Sequence, residues 1–340
     1  MKQKILQLLK ENLSMDSSRF VSGEALSQRL GVSRTAVWKH IQELRHEGYS
    51  IESSSRKGYR LISMPDILNA CELGCGLETS ILGKDILYFD TIDSTNNYAK
   101  EAAHKGCAEG TVIVAGSQSA GKGRLGRIWD SSGGKGIWMS VVLRPPVAPE
   151  DVQVITLGAS VAVVEAIKEI TGIEAGIKWP NDIVLDGRKL CGILTEMNSE
   201  MERIHFLVLG IGINVNHNMG DFPLELQENA VSLKMYASEK LLSIQGDLYN
   251  RSEIIKKILF KLEQVYNTIS KGCTADIINE WKKYSVTLGK EVRIAAKNSE
   301  FTAVARDVTN DGRLVVECMD GTIREVLSGE VSIRGILGYI

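Results

Sequence analysis

The first 48 residues alternate apolar and polar positions with the period of an α-helix. MKQKILQLLKEN predicts one helix, and EALSQRL predicts a second helix that Ser22 can cap. Gly31 permits a tight turn, and Ser33 can cap a third helix, RTAVWKHIQELRHEG. Two helices joined through such a turn indicate a helix-turn-helix.

The period changes to two over YSIESSSRKGYRLI, around a turn that contains Lys57. This segment predicts a hairpin with a basic tip, and residues 1–63 therefore predict a winged helix-turn-helix domain. The alternative is a generic three-helix bundle with a solvated third helix, but the basic face and basic tip favour DNA binding. The residues expected to face DNA are Ser33, Arg34, Thr35, Trp38, Lys39 and Lys57.

Residues 85–285 predict a mixed α/β domain, which follows a linker and short helix at 64–84. TVIVAG, GIWMSVVLRP and HFLVLGIGINV predict strands, and Asp186-Gly187 predicts a hairpin turn. VQVITLGASVAVVEAIKEITG predicts a mostly apolar helix that ends near Gly172, and residues 251–285 predict a helical stretch. Residues 286–340 return to short alternating strands and predict a small all-β barrel.

Composition and charge narrow the class of protein. The chain is 44% hydrophobic and 24% charged, as is usual for a globular protein. It contains no apolar run of the roughly 18 residues that a membrane span requires, and its start lacks the pattern of a signal peptide, so we expect a cytoplasmic protein without a membrane partner. The six cysteines are scattered and form neither a disulfide framework nor a zinc array, so no metal-ligating residues are predicted.

The net charge of −2 conceals an asymmetry between the first domain and the remainder. Residues 1–63 contain eleven Lys/Arg and six Asp/Glu, a net charge of +5, and the remaining residues carry 29 − 36 = −7. A basic domain on an acidic body indicates that this domain has a polyanionic partner.

A glycine-rich loop, AGKGRLGRIWDSS at 120–132, contains the spacing G-x-G-x-x-G. A dinucleotide-binding turn would lead into an apolar helix, which the sequence after Gly126 cannot form. A P-loop would continue with Lys and Ser/Thr, whereas Arg127 and Ile128 follow here. The remaining interpretation is a flexible loop that holds an anion with backbone N–H groups and three cations. A solvated surface loop is the alternative.

Four further motifs supply polar groups: DSTNNYA (93–99), IKWPND (177–182), RKLCGIL (188–194) and GIGINV (210–215). Each alone is compatible with turn chemistry, a strand end or close packing. Together with the glycine-rich loop they supply cations, a carboxylate and polar donors, which are the groups needed to bind a carboxylic acid together with a nucleotide.

DSTN, GKGRLGR with Trp129 after it, KWPND, RKLCGIL and GIGINV, in this order, resemble the motif set of the biotin–protein ligases. With the helix-turn-helix in front, essentially the whole chain resembles their bifunctional ligase/repressor subgroup. The resemblance implies a winged N-terminal domain, a central mixed α/β domain of the class II synthetase type and an SH3-like C-terminal barrel. It implies biotin and ATP as substrates, with Mg²⁺ on the nucleotide. The partners implied are a biotin carboxyl carrier protein, operator DNA and, with the adenylate bound, a second copy of the chain.

The resemblance also implies roles for particular residues. Those expected at biotin are Ser94, Thr95, Asn96, Gln118, Lys122, Gly123, Arg124 and Lys189. Those expected at the nucleotide are Gly121, Arg127, Trp129 and Asn214. Those expected to act in catalysis are Arg124, Lys178, Asp182 and Lys189. The family loop commonly reads GRGRRGR, so Lys122 and Leu125 are departures from it that put tight retention of the adenylate in question.

Two other functions compete with this interpretation. A biotin-sensing repressor that has lost catalysis is disfavoured by the presence of Arg124, Lys178, Asp182 and Lys189. A lipoate-type ligase would share the general domain plan, but the DNA-binding domain and the complete loop favour biotin.

Overall fold

The computed structural model of the chain divides into two compact units, Met1–Glu78 and Thr79–Ile340. The described residues are 1–15, 19–200, 203–242, 248–296, 299–328 and 331–335. The last five residues of the predicted C-terminal barrel, 336–340, lie outside them, as do 297–298 and 329–330. No helix within the described ranges is long and apolar enough to cross a membrane.

The first unit is a three-helix domain with a hairpin and a short fourth helix. Its elements are α1 Lys2–Met15, α2 Gly23–Leu30, α3 Arg34–His46, β1 Ser50–Ser54, β2 Gly58–Ser63 and α4 Ala70–Gly74. The Ser22 and Ser33 hydroxyls accept hydrogen bonds from the amides of Ala25 at 3.0 Å and Ala36 at 3.2 Å, which satisfies N–H groups at the starts of α2 and α3. Gly31 ends α2 at φ 65°. The predicted winged helix-turn-helix is therefore confirmed.

A buried carboxylate joins α4 to the rest of this unit. Glu72 is only 1% exposed, and it accepts hydrogen bonds from the Tyr49 hydroxyl and the Lys10 ammonium. Burying a charge is tolerated when it is paired and hydrogen-bonded, as Glu72 is here. Part of the segment expected to be a linker is thus packed into the first unit.

The second unit contains a seven-stranded sheet in the order β3-β4-β5-β9-β8-β7-β6. Its strands are β3 Ile86–Ile92, β4 Val112–Gln118, β5 Ile137–Leu143, β6 Gly176–Lys178, β7 Asp182–Leu185, β8 Arg188–Glu200 and β9 Arg203–Ile213. β3 and β4 pair in parallel, and the other neighbours pair antiparallel. Asp186 and Gly187 make the turn from β7 to β8 with φ of 45° and 77°, as their sequence predicts.

The helices of this unit are α5 Thr95–His104, α6 Val152–Thr171, α7 Leu233–Glu239, α8 Arg251–Ser270 and α9 Thr274–Tyr284. α6 is mostly buried, packs against α8 and α9, and ends at Gly172 with φ 72°. The helical stretch predicted over 251–285 is two helices, because Gly272 has a φ of 79° that α-helices do not accommodate.

An antiparallel five-stranded sheet lies at the C-terminal end, in the order β13-β12-β11-β10-β14. Its strands are β10 Glu291–Ala296, β11 Ser299–Val308, β12 Leu314–Cys318, β13 Ile323–Val326 and β14 Val331–Gly335. The predicted change from mixed α/β structure to short β-strands is therefore confirmed.

Candidate active site

A cavity of about 530 Å³ in the second unit brings the five polar motifs together. This volume is within the usual range for a small-molecule site. Among the predicted biotin, nucleotide and catalytic residues, those that line it are Ser94, Thr95, Asn96, Gln118, Lys122, Gly123, Arg124, Arg127, Trp129, Lys178, Asp182, Lys189 and Asn214. Gly121 does not line it.

Gly121 instead allows two backbone segments to approach closely. A Cβ atom at this position would lie 2.4 Å from the Trp129 carbonyl oxygen and 2.6 Å from Ser131 Oγ. The Trp129 amide donates to the Gly121 carbonyl at 2.9 Å. The structure therefore gives Gly121 a role in folding the loop, and it does not bring this residue to the nucleotide side of the cavity as expected.

The glycine-rich loop folds back on itself as an irregular hairpin. β-Bridges join Lys122 to Ile128 and Gln118 to Ser131, and the Gly123 amide donates to the Arg127 carbonyl at 2.8 Å. Leu125 takes a positive φ of 56° at the tip. This geometry is neither a dinucleotide-binding turn nor a P-loop, in agreement with the sequence argument.

One end of the cavity is lined by neutral hydrogen-bonding side chains. Ser94 caps α5 without making a side-chain capping hydrogen bond, and Thr95 and Asn96 form the first turn of that helix. Gln118 Oε1 accepts from the Thr95 amide at 2.7 Å and from its hydroxyl at 3.1 Å, and Gln118 Nε2 donates to Ser131 Oγ at 2.8 Å. The side chains at this end are therefore held in place by the protein itself.

The other end of the cavity concentrates cations. Lys178 is 4% exposed and lies opposite Asp182 in the β6–β7 pairing. Lys189 Nζ lies 2.7 Å from Asp182 Oδ1. Positive side chains held in a largely buried site can stabilise the negative charge that develops on reacting phosphates.

Arg124 extends from the glycine-rich loop into this cationic end. Its guanidinium donates to Asn181 Oδ1 at 3.0 Å and to the Ser328 carbonyl. Burial lowers the pKa of the Arg124 guanidinium, Asp182 opposes that shift, and Arg127 adds to it. Arg124 thereby ties the loop to strand neighbours on the cavity wall. Lys122 contributes differently, because its ammonium donates to Asn97 Oδ1 at 2.6 Å on the exposed side of the loop.

Trp129 forms an aromatic wall because two glycines leave room for its indole. Cβ atoms at Gly192 and Gly212 would each lie 2.8 Å from this ring. Lys189 Nζ lies 5.2 Å from the ring centroid, within cation–π distance. Asn214 is held near this wall, since its Nδ2 donates to the Val231 carbonyl at 3.2 Å.

Three residues that support the site were not predicted: Ser140, Asn181 and Glu196. Asn181 stands inside the quoted motif KWPND and receives Arg124, so its motif gave a signal for it. Ser140 and Glu196 contact Asn96 from β5 and β8. Ser140 gave a weak signal, as the one polar residue of the otherwise apolar strand β5, and Glu196 gave none, because its end of β8 is largely polar.

In the first unit, the residues predicted to face DNA are all on the surface. On α3 and at its cap, Ser33, Arg34, Thr35, Trp38 and Lys39 are all exposed. Trp38 is 55% exposed, which is unusual for tryptophan unless a partner covers it. Lys57 is exposed at the hairpin tip, with its ammonium 5.7 Å from the Phe20 ring centroid.

The fold and site define a ligase-type α/β protein that carries a DNA-binding domain. Matching family models are the HTH domain over residues 2–60, the biotin/lipoate A/B protein ligase family over 88–214 and the biotin protein ligase C-terminal domain over 287–334. The bifunctional ligase/repressor BirA of Bacillus subtilis is 41% identical over 323 residues, which cover 95% of this chain and 97% of that protein. The Escherichia coli protein of the same name is 28% identical, with 94% of each chain covered.

A biotin protein ligase from Aquifex aeolicus, solved in complex with biotin and ATP, has a similar structure. It matches with a TM-score of 0.62 and 27% identity, over 74% of this chain and 99% of that one. The chain belongs to the biotin protein ligase family, in its bifunctional ligase/repressor group.

Proposed function

We propose that this chain is a biotin–[acetyl-CoA-carboxylase] ligase that is also a biotin-responsive repressor. It activates biotin with ATP to biotinyl-5′-AMP and then transfers the biotinyl group to a lysine of a biotin carboxyl carrier protein. The observation that carries the proposal is the division of one cavity into a hydrogen-bonding end and a cationic end. The relatives named as ligases and the Aquifex complex with biotin and ATP support it.

The division of the cavity matches the two halves of the adenylate. The ureido ring of biotin fits the end formed by Ser94 and Thr95, and the biotin carboxylate then points toward the cations. One carboxylate oxygen attacks the α-phosphorus, the bond to the bridging oxygen breaks, and pyrophosphate leaves. Lys178, Arg124 and Lys189 offset the repulsion between the carboxylate and the phosphates and align them.

The nucleotide half of the adenylate is placed against Trp129. The indole stacks near the adenine, Asn214 lies at the edge of the base, and Arg127 neutralises phosphate at the mouth. Asp182 holds Lys189 by the 2.7 Å contact, and this contact orients the lysine when the ligand is bound. Enclosing the mixed anhydride under the glycine-rich loop protects it from water until the carrier arrives.

Magnesium belongs with the nucleotide in this proposal. Within the described residues no cluster of three or more His, Cys, Asp or Glu side chains could hold a metal ion. Mg²⁺ ordinarily keeps several waters and binds through substrate phosphates and at most one or two carboxylates. A single carboxylate such as that of Asp182 is therefore enough to hold the ion beside the nucleotide. When bound, the ion would neutralise phosphate charge.

In this proposal the chain has three domains and one linker. Residues 1–63 form the DNA-binding domain, 64–84 the linker with its short helix, 85–285 the catalytic domain of the class II synthetase type, and 286–340 an SH3-like barrel. The protein acts in the cytoplasm. The barrel supplies the Ser328 carbonyl to Arg124, so it steadies the loop on the nucleotide side of the site.

Repression depends on the same ligand. Biotinyl-AMP favours a homodimer, and the dimer presents two copies of α3 to a two-fold operator. Excess unmodified carrier consumes the adenylate and relieves repression. Sedimentation velocity with and without biotinyl-AMP tests this regulation: the dimer should persist to lower protein concentration with the adenylate than without it, and equal dimer constants would contradict it.

Carrier modification tests the ligase function. The protein is incubated with ATP, Mg²⁺, a purified carrier domain and equal amounts of biotin and lipoate, and the carrier is analysed by mass spectrometry. Biotin on a single lysine is the expected product. Lipoyl product would establish the lipoate-type ligase instead, and an unmodified carrier together with measurable biotin binding would establish a sensor.

A further inference from the structure

Glu196 lies outside the cavity wall and contacts its polar end from behind. Its two carboxylate oxygens have separate partners, since Oε2 accepts from Asn96 Nδ2 at 2.8 Å and Oε1 accepts from Lys100 Nζ at 2.7 Å. Burial alone would raise the pKa of Glu196, but the hydrogen bonds from Lys100 and Asn96 lower it. The carboxylate is therefore ionised at neutral pH, and it can only accept hydrogen bonds.

An acceptor-only group fixes the orientation of the Asn96 amide. Because Nδ2 must face Glu196, Oδ1 faces β5, where Ser140 Oγ lies 2.6 Å away. Gly210 leaves the space for this arrangement, since a Cβ atom there would lie 2.1 Å from Asn96 Oδ1. The Ser140 hydroxyl has one hydrogen, and the short contact directs it to the amide oxygen.

The direction of the next hydrogen bond follows from this. Ser140 Oγ also lies 2.8 Å from Thr95 Oγ1, and the Thr95 hydroxyl in turn lies 3.1 Å from Gln118 Oε1. Gln118 Oε1 is fixed as an acceptor because the Thr95 amide donates to it at 2.7 Å. Because the Ser140 hydrogen is used by Asn96, Ser140 Oγ and Gln118 Oε1 are both acceptors toward the Thr95 hydroxyl. The Thr95 hydrogen thus points to these two protein atoms, and a lone pair of Thr95 Oγ1 stays open to a donor in the cavity.

We infer that Glu196 is a positioning residue that sets the direction of the hydrogen bonds around Asn96, Ser140 and Thr95, so that Thr95 accepts an N–H group of the bound ligand. This inference rests on the proposed function, in which the ligand is biotin and the N–H belongs to its ureido ring. Neutral Gln at position 196 would permit Asn96 to turn over. The Ser140 hydrogen would then move to Thr95 Oγ1, Ser140 Oγ would no longer accept from Thr95, and the Thr95 hydrogen would be released to turn toward the cavity and oppose the ligand N–H.

The test compares biotin binding by Glu196→Gln, Asn96→Asp and the double variant, each as the full chain. Isothermal titration gives the biotin Kd, pyrophosphate exchange gives the KM for ATP, and thermal unfolding checks the fold. Glu196→Gln should weaken biotin about tenfold, the effect of losing roughly one hydrogen bond, with an unchanged KM for ATP. Asn96→Asp should weaken biotin binding further, because the new carboxylate would face the carboxylate of Glu196.

The double variant separates positioning from mere stability. In Asn96→Asp/Glu196→Gln the glutamine amide donates to one aspartate oxygen, and the other oxygen still accepts from Ser140. Biotin affinity should therefore return to within about threefold of the wild type, which is a coupling that independent sites do not show. Glu101→Gln is the matched control, because it is on the same helix α5 and removes an exposed ion pair with Lys105.

Equal biotin affinity in Glu196→Gln and Glu101→Gln would overturn the inference and leave the ligase function intact. A double variant no better than Asn96→Asp would also overturn it. A wild type that binds no biotin would remove the proposed function and this inference together.

Discussion

The DNA-binding unit and the cavity of the α/β unit present their predicted ligand-binding residues in opposite ways. Arg34, Trp38 and Lys57 are exposed on one helix and one hairpin tip. Lys178 and Asn96 are buried, and the cavity draws its walls from segments more than a hundred residues apart. Exposed groups keep their hydration until a partner arrives, whereas buried groups need partners within the protein. We therefore expect single substitutions to affect the two regions differently.

Lys178→Met should produce the largest effect, because it removes a nearly buried cation from the reacting phosphates. We expect a fall of about 10²–10³-fold in adenylate formation, with biotin binding retained. Stopped-flow or quenched-flow measurement of adenylate formation checks this. DNA binding with biotinyl-AMP supplied is the control and should be normal; adenylate formation within threefold of the wild type would contradict the assigned role.

Arg34→Ala should weaken DNA binding by roughly 1–3 kcal/mol if the side chain contacts a base edge, as its place at the start of α3 implies. Duplexes selected from a random pool by the wild type, read by fluorescence anisotropy, provide the assay. Lys4→Ala removes the same charge from an exposed position on α1 and should have little effect. An equal loss in both variants would indicate that the first unit binds through net charge alone.

Gly192→Ala should disturb the nucleotide side selectively. The new Cβ would lie 2.8 Å from the Trp129 ring and displace the indole, at a cost of about 1–3 kcal/mol. The KM for ATP should rise about tenfold or more while the biotin Kd stays within a factor of two. Gly220→Ala, where a Cβ would meet nothing within 4 Å, is the control. Equal effects on the KM for ATP and on the biotin Kd would show that Trp129 does not serve the nucleotide specifically.

Lys57→Ala should have the smallest effect, because one phosphate contact at the hairpin tip is lost. The slope of log affinity against log salt should fall by about one, uniformly across DNA sequences. Titrations at several salt concentrations measure it. A change in sequence preference with an unaltered slope would mean that Lys57 reads bases.

The difference between the two regions also decides how much of each could be predicted from the sequence. The caps Ser22 and Ser33 and the turn at Gly31 act within a few residues, so the helix-turn-helix was predicted correctly, whereas the packing of α4 into the same unit was not. The glycine-rich loop was separated from dinucleotide and P-loop turns by the residues that follow it. By contrast, Ser140 and Glu196 support Asn96 only because sheet register places β5 and β8 beside α5. Nor does the motif spacing reveal that Gly121 leaves room for the Trp129 carbonyl oxygen, which a Cβ atom there would approach to 2.4 Å.

The most direct test of the account is biotin-dependent exchange of labelled pyrophosphate into ATP by the wild-type chain, with lipoate as the alternative acid and Arg124→Ala alongside. We expect exchange with biotin, little with lipoate, and a strong loss in the variant, since Arg124 joins the loop to the cationic end. Absence of exchange in a wild type that still binds biotin would contradict it, and would make the chain a biotin sensor that retains the ligase fold.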